Sequence, residues 1–388
     1  MDSEGASGLE SLPREILLQI LSKLPLSSLR TLAQDPHVVD NLFENLSTED
    51  IQCLIFRYDY PIKNQFSFVD FGAIYIEEEI KANKIQTPYR DSVHELDVVS
   101  SCNGLLCLSD SINNGLYVYN PFNQDYRQLP ETIHYTERRF QVFVFGFLPT
   151  TKEYKVVNII YYSNYEDRKG HPFGHWAMPK SDVQIFSSED SSSSWRSLGH
   201  TSYYLDEKPA QVLVNGRIHW ETFLHRYCRH RNIISFGIED EQFRKISTPE
   251  SLVLGNWDSI ALRRCCLSVV LNHLGGEKLE IWAMKEYEVE SSWVKEFNIE
   301  SFFVPKGLKQ EADQLIASFK IAKRVNFIRV LSVLRNGKIL LDYKCRALVV
   351  YDPITESFDE VRFQGMPNWY ETVVHVGNFN QIDSLIGM

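Results

Sequence analysis

The sequence predicts a mainly β protein, a β-propeller of about six blades that follows a small α-helical segment. Three observations support this fold class. Hairpin signals recur along most of the chain, aromatic residues keep a constant place within each repeat, and a short amphipathic helix pattern stands near the start. Aromatic residues are also abundant, with 23 Phe, 19 Tyr and 7 Trp in 388 residues, which favours half-buried strands over a helical bundle.

The clearest repeat is ELDVVSSCNGLLCLSDSINNGLYVYNPFNQDYRQLP, which begins at Glu95. Its apolar runs predict four short strands, around residues 96–100, 105–108, 116–119 and 126–129. The pairs Asn103-Gly104 and Asn114-Gly115 are expected to form tight hairpin turns, because Asn and Gly tolerate positive φ. The same plan returns with an Asn-Gly pair at Asn215-Gly216 and Asn336-Gly337, and in weaker copies at 140–198 and 258–299.

The aromatic residues of these units keep register. Third-strand aromatics are followed seven residues later by fourth-strand aromatics, as in Tyr119 with Tyr126, Phe236 with Phe243, and Tyr351 with Phe358. Two further pairs have longer turns, Phe186 with Trp195 and Trp282 with Trp293. The third-strand aromatics are separated by 67, 50, 46 and 69 residues. Four-stranded units with a period of about 50 residues are typical of a kelch-like propeller, so we interpret these aromatics as blade packing.

Five units are visible, and a sixth is predicted from the two ends of the repeat region. CLIFRYDY and FSFVDF, near residues 53–71, are expected to combine with YETVVHV, near residues 370–376. A blade built from both parts of the chain closes the ring, so that no blade is left with an unpacked face.

One short amphipathic helix is predicted between Leu12-Pro13 and Leu24-Pro25. Its apolar residues recur with helical spacing at Ile16, Leu17, Ile20, Leu21 and Leu24. A helix of about three turns is marginal alone in water, and this region is too small to build a core of its own. Either a partner or the propeller itself must therefore cover the apolar stripe.

Composition and charge exclude several classes of function. The net charge of −11 argues against nonspecific binding to nucleic acid or to an anionic membrane. The first residues, MDSEGASGLESLP, lack a secretory-signal pattern, and no apolar run of about 18 residues predicts a membrane span. Seven cysteines without framework spacing suit a reducing compartment. We therefore expect a cytoplasmic and/or nuclear protein that needs no cofactor.

Several motifs resemble those of one known family. LPREILLQILSKLPLSSL is similar to the start of an F-box, and five later motifs resemble, in order, those of the plant F-box-associated, kelch-like domain: SCNGLLCL, YNPFNQDYRQLP, FGFLPTTKEYKVV, VNGRIHW and WAMKEYEVESSWVKEF. The resemblance implies a flexible N-terminus at 1–10, an F-box-like helical segment at 11–48 and an F-box-associated β-propeller domain at 51–385. The F-box is shortened, because residues 27–34 run directly into Asp35-Pro36 where family members usually have a further helix.

Members of this family are substrate receptors of SCF-type ubiquitin ligases. The resemblance therefore implies a non-catalytic protein that binds a Skp-type adaptor, and through it a cullin–RING ligase, together with an unidentified target protein. Carried over position by position, the adaptor-binding residues are Leu12, Pro13, Ile16, Ile20, Leu24, Pro25 and Leu26. Two alternatives stay open. One is a propeller interaction module whose truncated F-box does not engage the ligase, and the other is a propeller enzyme, although the sequence has no nucleophile-elbow, Walker or dinucleotide motif.

Two insertions are candidates for target binding. YYSNYEDRKGHPFGHWAMPK (161–180) is rich in aromatic residues, and HRYCRHR (225–231) concentrates arginines in an acidic chain. Arg and aromatic side chains are favoured interface anchors, so an acidic or phosphorylated target is one hypothesis and a solvated basic loop is the alternative. The candidate residues are Tyr165, Phe173, Trp176, Arg226, Tyr227, Arg229 and Arg231. His225, Cys228 and His230 lack a second ligand pair at zinc-like spacing, so no metal site is predicted.

Overall fold

Within the residues that the structure describes, strand pairing forms six sheets of four or five strands and one two-stranded sheet. The computed structural model describes residues 28, 52–75, 79–87, 96–110, 112, 115–133, 138–162, 180–188, 194–205, 212–223, 231–253, 257–263, 266–272, 278–299, 328–334, 336–343, 345–367, 369–377 and 382. Each of the six larger sheets is one blade of a propeller. The predicted mainly β, kelch-like propeller and its count of six blades are therefore confirmed.

The strands are numbered in chain order. The first eight are β1 (Gln52–Tyr58), β2 (Gln65–Asp70), β3 (Ile80–Lys81), β4 (Asn83–Ile85), β5 (Leu96–Cys102), β6 (Leu105–Asp110), β7 (Leu116–Tyr119) and β8 (Tyr126–Gln128). The next nine are β9 (Arg138–Leu148), β10 (Glu153–Tyr162), β11 (Lys180–Ser187), β12 (Arg196–Gly199), β13 (Tyr204–Leu205), β14 (Val212–Val214), β15 (Arg217–Phe223), β16 (Arg231–Gly237) and β17 (Phe243–Ile246). The last ten are β18 (Trp257–Arg263), β19 (Cys266–Asn272), β20 (Leu279–Met284), β21 (Trp293–Ile299), β22 (Ile328–Val333), β23 (Ile339–Tyr343), β24 (Ala347–Asp352), β25 (Ser357–Val361), β26 (Phe363–Gln364) and β27 (Glu371–Val376). Short helices occur at Phe71–Tyr75, Glu250–Val253 and Glu290–Ser292.

Blade 1 combines the last strand with the first strands, in the spatial order β27, β1, β2, β4. Blades 2 to 6 follow in chain order and consist of β5–β8, β9–β12, β13–β17, β18–β21 and β22–β25. In blade 1, β27 pairs antiparallel with β1, from Gln52 opposite Val376 to Arg57 opposite Glu371. The prediction that the two ends of the repeat region share one blade is thus confirmed.

The apolar core of the protein lies between the blades. Five buried clusters each join the facing sides of two consecutive blades, from blades 2 and 3 round to blades 6 and 1. Val144 of blade 3 and Ile218 of blade 4, for example, belong to one cluster. Blades 1 and 2 meet through Phe68 and Phe122, whose ring centroids are 5.7 Å apart. Because strand residues alternate between two faces and both faces are covered, the strands are nearly continuous apolar runs.

Tight turns occur at most of the predicted Asn-Gly pairs. Asn103-Gly104 and Asn215-Gly216 have positive φ at both residues, as a two-residue hairpin requires, whereas at Asn336-Gly337 only the glycine does. The prediction of positive φ at Asn114-Gly115 was wrong for Gly115, whose backbone lies outside the left-handed region. Asn114 lies outside the described residues. A Cβ atom on Gly115 would lie 2.9 Å from the Tyr117 hydroxyl, so close approach of that ring is what requires glycine there.

Cross-strand aromatic pairs join the third and fourth strands. The predicted pairs Tyr119 with Tyr126, Phe236 with Phe243, Tyr351 with Phe358 and Phe186 with Trp195 are confirmed by register or by ring contact. The prediction for Trp282 was wrong. Met284 lies opposite Trp293, because the turn between the two strands begins directly after Met284. Trp282 lies instead opposite Lys295, whose Nζ atom is 5.3 Å from the indole centroid.

The ring has two ends, which we call the closure end and the insertion end. The closure end is the end at which the first strand of each blade is connected to the second and the third to the fourth, because neighbouring strands are antiparallel. In blade 1 the first strand is β27 and the second is β1. Strand β1 begins there and β27 ends there. A parallel bridge joins Gly377, directly after β27, to Gly104 in the first turn of blade 2. Connections from second to third strand, and those between blades, lie at the insertion end.

The F-box-like segment at 11–48 falls outside the described residues apart from Ser28, so its predicted helices stay a prediction. Within the described part of the chain, no helix is long and apolar enough to cross a membrane.

Replacing Ile55 tests the importance of the ring-closing sheet. Ile55 is fully buried and lies opposite Val373 of β27. We expect Ile55→Ala to lower the free energy of unfolding by about 2–5 kcal/mol, because it leaves a cavity in blade 1. The matched control is Ile354→Ala, at a turn residue that is 89% exposed, which should change it by less than about 0.5 kcal/mol. Urea unfolding of the three proteins measures both values, and equal losses in the two variants would contradict the expectation.

Two buried histidines make the stability of the fold depend on pH. The Nδ1–H of His219 donates to the Val212 carbonyl at 3.1 Å, and the Tyr287 hydroxyl donates to its Nε2 at 2.8 Å. The Nδ1 of His375 lies 2.9 Å from the Ser101 hydroxyl. Burial lowers the pKa of His219 from 6.5 to about 4 and that of His375 to about 3. Both imidazoles therefore stay neutral in the folded protein at pH values where the unfolded chain is protonated.

We expect the free energy of unfolding to fall as the pH drops below 6.5 toward the two folded-state pKa values. In this window each histidine changes the free energy of unfolding by about 1.4 kcal/mol per pH unit. Above the window the contribution of each histidine is complete and no longer changes with pH. Urea unfolding between about pH 7 and pH 5 measures the slope. His219→Gln removes one titrating group and should flatten the curve. A slope identical to that of the parent protein would exclude His219 as a source of the dependence.

Candidate functional site

The two insertions predicted to bind a target begin on neighbouring blades. Tyr162 of β10 lies opposite Lys180 of β11, so residues 163–179 connect the two middle strands of blade 3. Phe223 of β15 lies opposite Arg231 of β16, so residues 224–230 connect the corresponding strands of blade 4. Both are second-to-third connections, and both therefore leave the ring at its insertion end.

A two-residue strand, β13, braces the bases of the two insertions against each other. Tyr204 and Leu205 of β13 pair with Phe223 and Thr222 of β15, at the base of the blade 4 insertion. The Thr222 hydroxyl also donates to the Tyr204 carbonyl at 2.7 Å. Strand β14 pairs with the start of β15, and β13 continues this pairing toward the insertion end. The residues of β13 come from the connection between blades 3 and 4.

Tyr161 supplies the link to blade 3. Its hydroxyl donates to the Tyr203 carbonyl at 2.8 Å and accepts the Leu205 N–H at 3.0 Å. Burial raises the pKa of Tyr161, so the hydroxyl keeps the proton that it donates. Tyr161 is the second-last residue of β10 and so lies at the base of the blade 3 insertion. Its hydroxyl therefore links that base to β13, the strand that pairs with the base of the blade 4 insertion.

Ring packing and a second pair of hydrogen bonds strengthen this brace. Phe140 of β9 stacks on Tyr161 with centroids 4.5 Å apart and meets Tyr204 edge-on at 5.2 Å. Such aromatic pairs contribute about 0.5–1.5 kcal/mol each beyond their area burial. Ser181, opposite Tyr161, donates its hydroxyl to the Thr201 carbonyl at 2.7 Å and accepts the Thr201 N–H at 2.9 Å. Both sides of the blade 3 insertion are therefore fixed to residues 201–205. We call this assembly the blade 3–4 rim.

The structure places few of the predicted site residues directly. Arg231 is the first residue of β16. The other predicted target-binding residues lie outside the described part of the chain: Tyr165, Phe173, Trp176, Arg226, Tyr227 and Arg229. The predicted adaptor-binding residues Leu12, Pro13, Ile16, Ile20, Leu24, Pro25 and Leu26 also lie outside it. The proposed bounds of the insertions were too wide, because Tyr161, Tyr162, Lys180 and Arg231 belong to strands.

The rim residues themselves were missed by sequence reasoning. The consecutive pairs Tyr161-Tyr162 and Tyr203-Tyr204 were a usable signal, since tyrosine combines a large apolar ring with a group that seeks a hydrogen bond when buried. His225, Cys228 and His230 lie outside the described residues. Among the residues that are described, no three His, Cys, Asp or Glu side chains are grouped to hold a metal ion.

Comparison with known proteins relates this chain to F-box proteins and to their associated propeller domain. Residues 62–372 match the family described as F-box associated beta propeller domain. The F-box protein At3g07870 of Arabidopsis thaliana is 40% identical, over an alignment that covers 97% of this chain and 93% of that protein. The putative F-box/kelch-repeat protein At1g13200 of the same plant is 28% identical, over 72% of this chain and 65% of its own. Among solved structures, an oligogalacturonate lyase in complex with manganese is 9% identical with a TM-score of 0.45, over 81% of this chain and 74% of its own.

Removing one hydroxyl tests the brace. We expect Tyr161→Phe to keep the ring packing but to lose both hydrogen bonds, at a cost of about 1–3 kcal/mol because the buried Leu205 N–H loses its partner. Hydrogen exchange followed by mass spectrometry should then show faster exchange at residues 201–205 and unchanged exchange in blades 1 and 6. Tyr60→Phe, at a ring that is 77% exposed, is the matched control. Unaltered exchange at residues 201–205 would show that the brace does not depend on Tyr161.

Proposed function

Because the chain belongs to the family of proteins with an F-box associated β-propeller domain, we propose that it is the substrate-recognition subunit of an SCF-type ubiquitin ligase. The observation that carries the proposal is the similarity to an F-box protein over 97% of the chain, a coverage that includes most of residues 11–48. In this role the protein performs no chemistry. It raises the effective concentration of a target lysine near a charged ubiquitin carrier.

The adaptor is bound by the helical segment before the propeller. The stripe of Ile16, Ile20 and Leu24, flanked by the two Leu-Pro pairs, docks on a Skp-type adaptor that leads to a cullin–RING ligase. A helix this short is marginal alone, so docking both covers the stripe and orders the segment. Charge, cysteine content and this partnership together favour the cytoplasm or the nucleus as the place of action.

The target is bound at the opposite end of the ring. Strand β1, which follows the F-box-like segment, begins at the closure end, whereas the two insertions leave from the insertion end. The blade 3–4 rim holds the bases of both insertions side by side, and this arrangement supports a single binding surface formed by residues 163–179 and 224–230. Binding residues often lie on connections that a rigid scaffold positions.

The chemistry of the second insertion favours an acidic target. Arg226 and Arg229 belong to this insertion and Arg231 follows it directly in sequence, in a chain of net charge −11. Guanidinium groups bind carboxylates and phosphates through two parallel hydrogen bonds, so an acidic or phosphorylated segment is the class of target that this insertion fits.

A second candidate function has its own support. Residues 27–34 run directly into Asp35-Pro36, so the F-box lacks the helix that usually completes it. A segment without that helix leaves a propeller that binds its target but does not deliver it to a ligase. The two functions differ in adaptor binding alone.

Co-purification with a plant Skp-type adaptor decides between them. We expect the parent chain to retain the adaptor and Ile16→Asp/Ile20→Asp to lose it, since two charges on the stripe cannot be buried without a partner. Ile354→Asp, at an exposed propeller turn, is the matched control and should behave like the parent. If the parent fails to retain the adaptor while its propeller unfolds cooperatively, the ligase proposal is wrong and the interaction module remains. If the double variant still binds, the adaptor contact lies elsewhere.

A further inference from the structure

Two amide side chains lie buried beside each other in the cleft between blades 2 and 3. Asn158 of β10 and Gln184 of β11 are opposite each other in register, and the exposed fraction of each is 0%. Side chains alternate between the two faces of a strand, and the residues two positions away, Val156 and Phe186, belong to the apolar cluster that joins blades 2 and 3. Both amides therefore point toward blade 2 and are enclosed between the two blades.

Three atoms of this pair have no hydrogen-bond partner within the part of the chain that the structure describes. They are the oxygen and the nitrogen of the Asn158 amide and the oxygen of the Gln184 amide. The orientation of the Gln184 amide is fixed, because its Nε2 atom donates to a carboxylate oxygen of Asp182 at 3.1 Å and a carboxylate only accepts. The Ser197 hydroxyl donates to the other oxygen of Asp182 at 2.8 Å, which holds that carboxylate in place.

Burial of these three atoms without partners would oppose folding. A polar group that leaves water and finds no hydrogen bond loses free energy, and most buried polar groups in folded proteins are therefore bonded to protein or to ordered water. Exchanging the oxygen and the nitrogen of Asn158 does not help, since neither position has a protein partner. The pair therefore needs a ligand that comes from outside the chain.

The chemistry of the three atoms identifies that ligand. The Asn158 nitrogen donates hydrogen bonds, whereas the Asn158 and Gln184 oxygens accept them. A cation would satisfy only the oxygens, and an anion would satisfy only the nitrogen. A water molecule donates and accepts, is small enough for a site closed to solvent, and makes about three hydrogen bonds when it is buried.

We propose that the cleft between blades 2 and 3 contains a buried water site formed by Asn158 and Gln184. Water in this site donates to the Asn158 Oδ1 and Gln184 Oε1 atoms and accepts from the Asn158 Nδ2 atom. Asp182, which holds Gln184, lies two residues after Lys180 at the base of the blade 3 insertion. The water therefore stabilises blade 3 directly below that insertion. The site stands apart from the proposed ligase function, because it concerns a junction inside the ring.

A crystal structure of the full-length protein, at a resolution that shows ordered water, tests the site directly. We expect a density peak between the two blades, at about 2.7–3.2 Å from the Asn158 amide and from the Gln184 Oε1 atom. A direct hydrogen bond between the two amides, with no peak beside them, would overturn the proposal. This measurement needs no variant, so it decides the question even if a substitution prevents folding.

Replacing Asn158 with a leucine of similar size gives a second test, whose sign distinguishes a hydrated site from a dry one. In a hydrated site, Asn158→Leu removes two partners of the water and leaves Gln184 Oε1 unsatisfied. We then expect the equilibrium constant of unfolding to rise by about 5- to 150-fold in urea unfolding experiments. In a dry site the same change removes two unpaired polar atoms, so the constant would fall and the proposal would be wrong.

The matched control is the same exchange at an exposed strand position. Asn298 of β21 is exposed, and Asn298→Leu should change the equilibrium constant of unfolding by no more than about two- to threefold. An equal rise in the two variants would mean that the leucine itself, rather than the loss of a water site, causes the effect, and it would overturn the interpretation of the Asn158 variant.

Discussion

The pairing of β27 with β1 is the interaction on which the rest of the structure depends. Each apolar cluster needs the faces of two blades, so no blade is stable alone. Strand β27 serves both junctions of blade 1, because Val374 packs against the cluster shared with blade 6 and His375 contacts Ser101 of blade 2. Without β27 the edge of β1 is open, and the two junctions of blade 1 lose the contacts that Val374 and His375 supply.

A closed ring gives the connections at its insertion end a fixed base. The blade 3–4 rim needs few contacts on that base, since one tyrosine hydroxyl and one two-residue strand connect segments from two blades. The bases of the two insertions therefore keep their spacing, while the residues between them can differ in sequence without disturbing the blades. Binding residues often lie on connections that a rigid scaffold holds in this way.

Most of the features that the sequence predicted correctly are local, and the ring-closing blade is the exception, because its strand patterns were left over at the two ends of the repeat region. Two of the features that it missed join distant residues. The blades, their hairpin turns and cross-strand contacts such as that between Phe236 and Phe243 follow from alternation and spacing within about 50 residues. The Tyr161–Tyr203 bond spans 42 positions and the Ile382–Asp125 bond spans 257, and no periodic pattern encodes either. Trp282 shows a further reason, because its partner is set by the residue at which the turn after Met284 begins, and no residue type in the sequence marks that position.

The order of synthesis gives the closing blade a further consequence. Strand β1 emerges from the ribosome first among the strands and β27 last, so at about 5–20 residues per second the edge of β1 waits roughly 15 to 60 s for its partner. During that time an apolar strand, QCLIFRY, has an unpaired edge, which is a template for pairing with other chains. Newly made chains therefore depend on chaperones or on dilution until the last strand is released, and a premature stop anywhere before β27 leaves that edge open permanently.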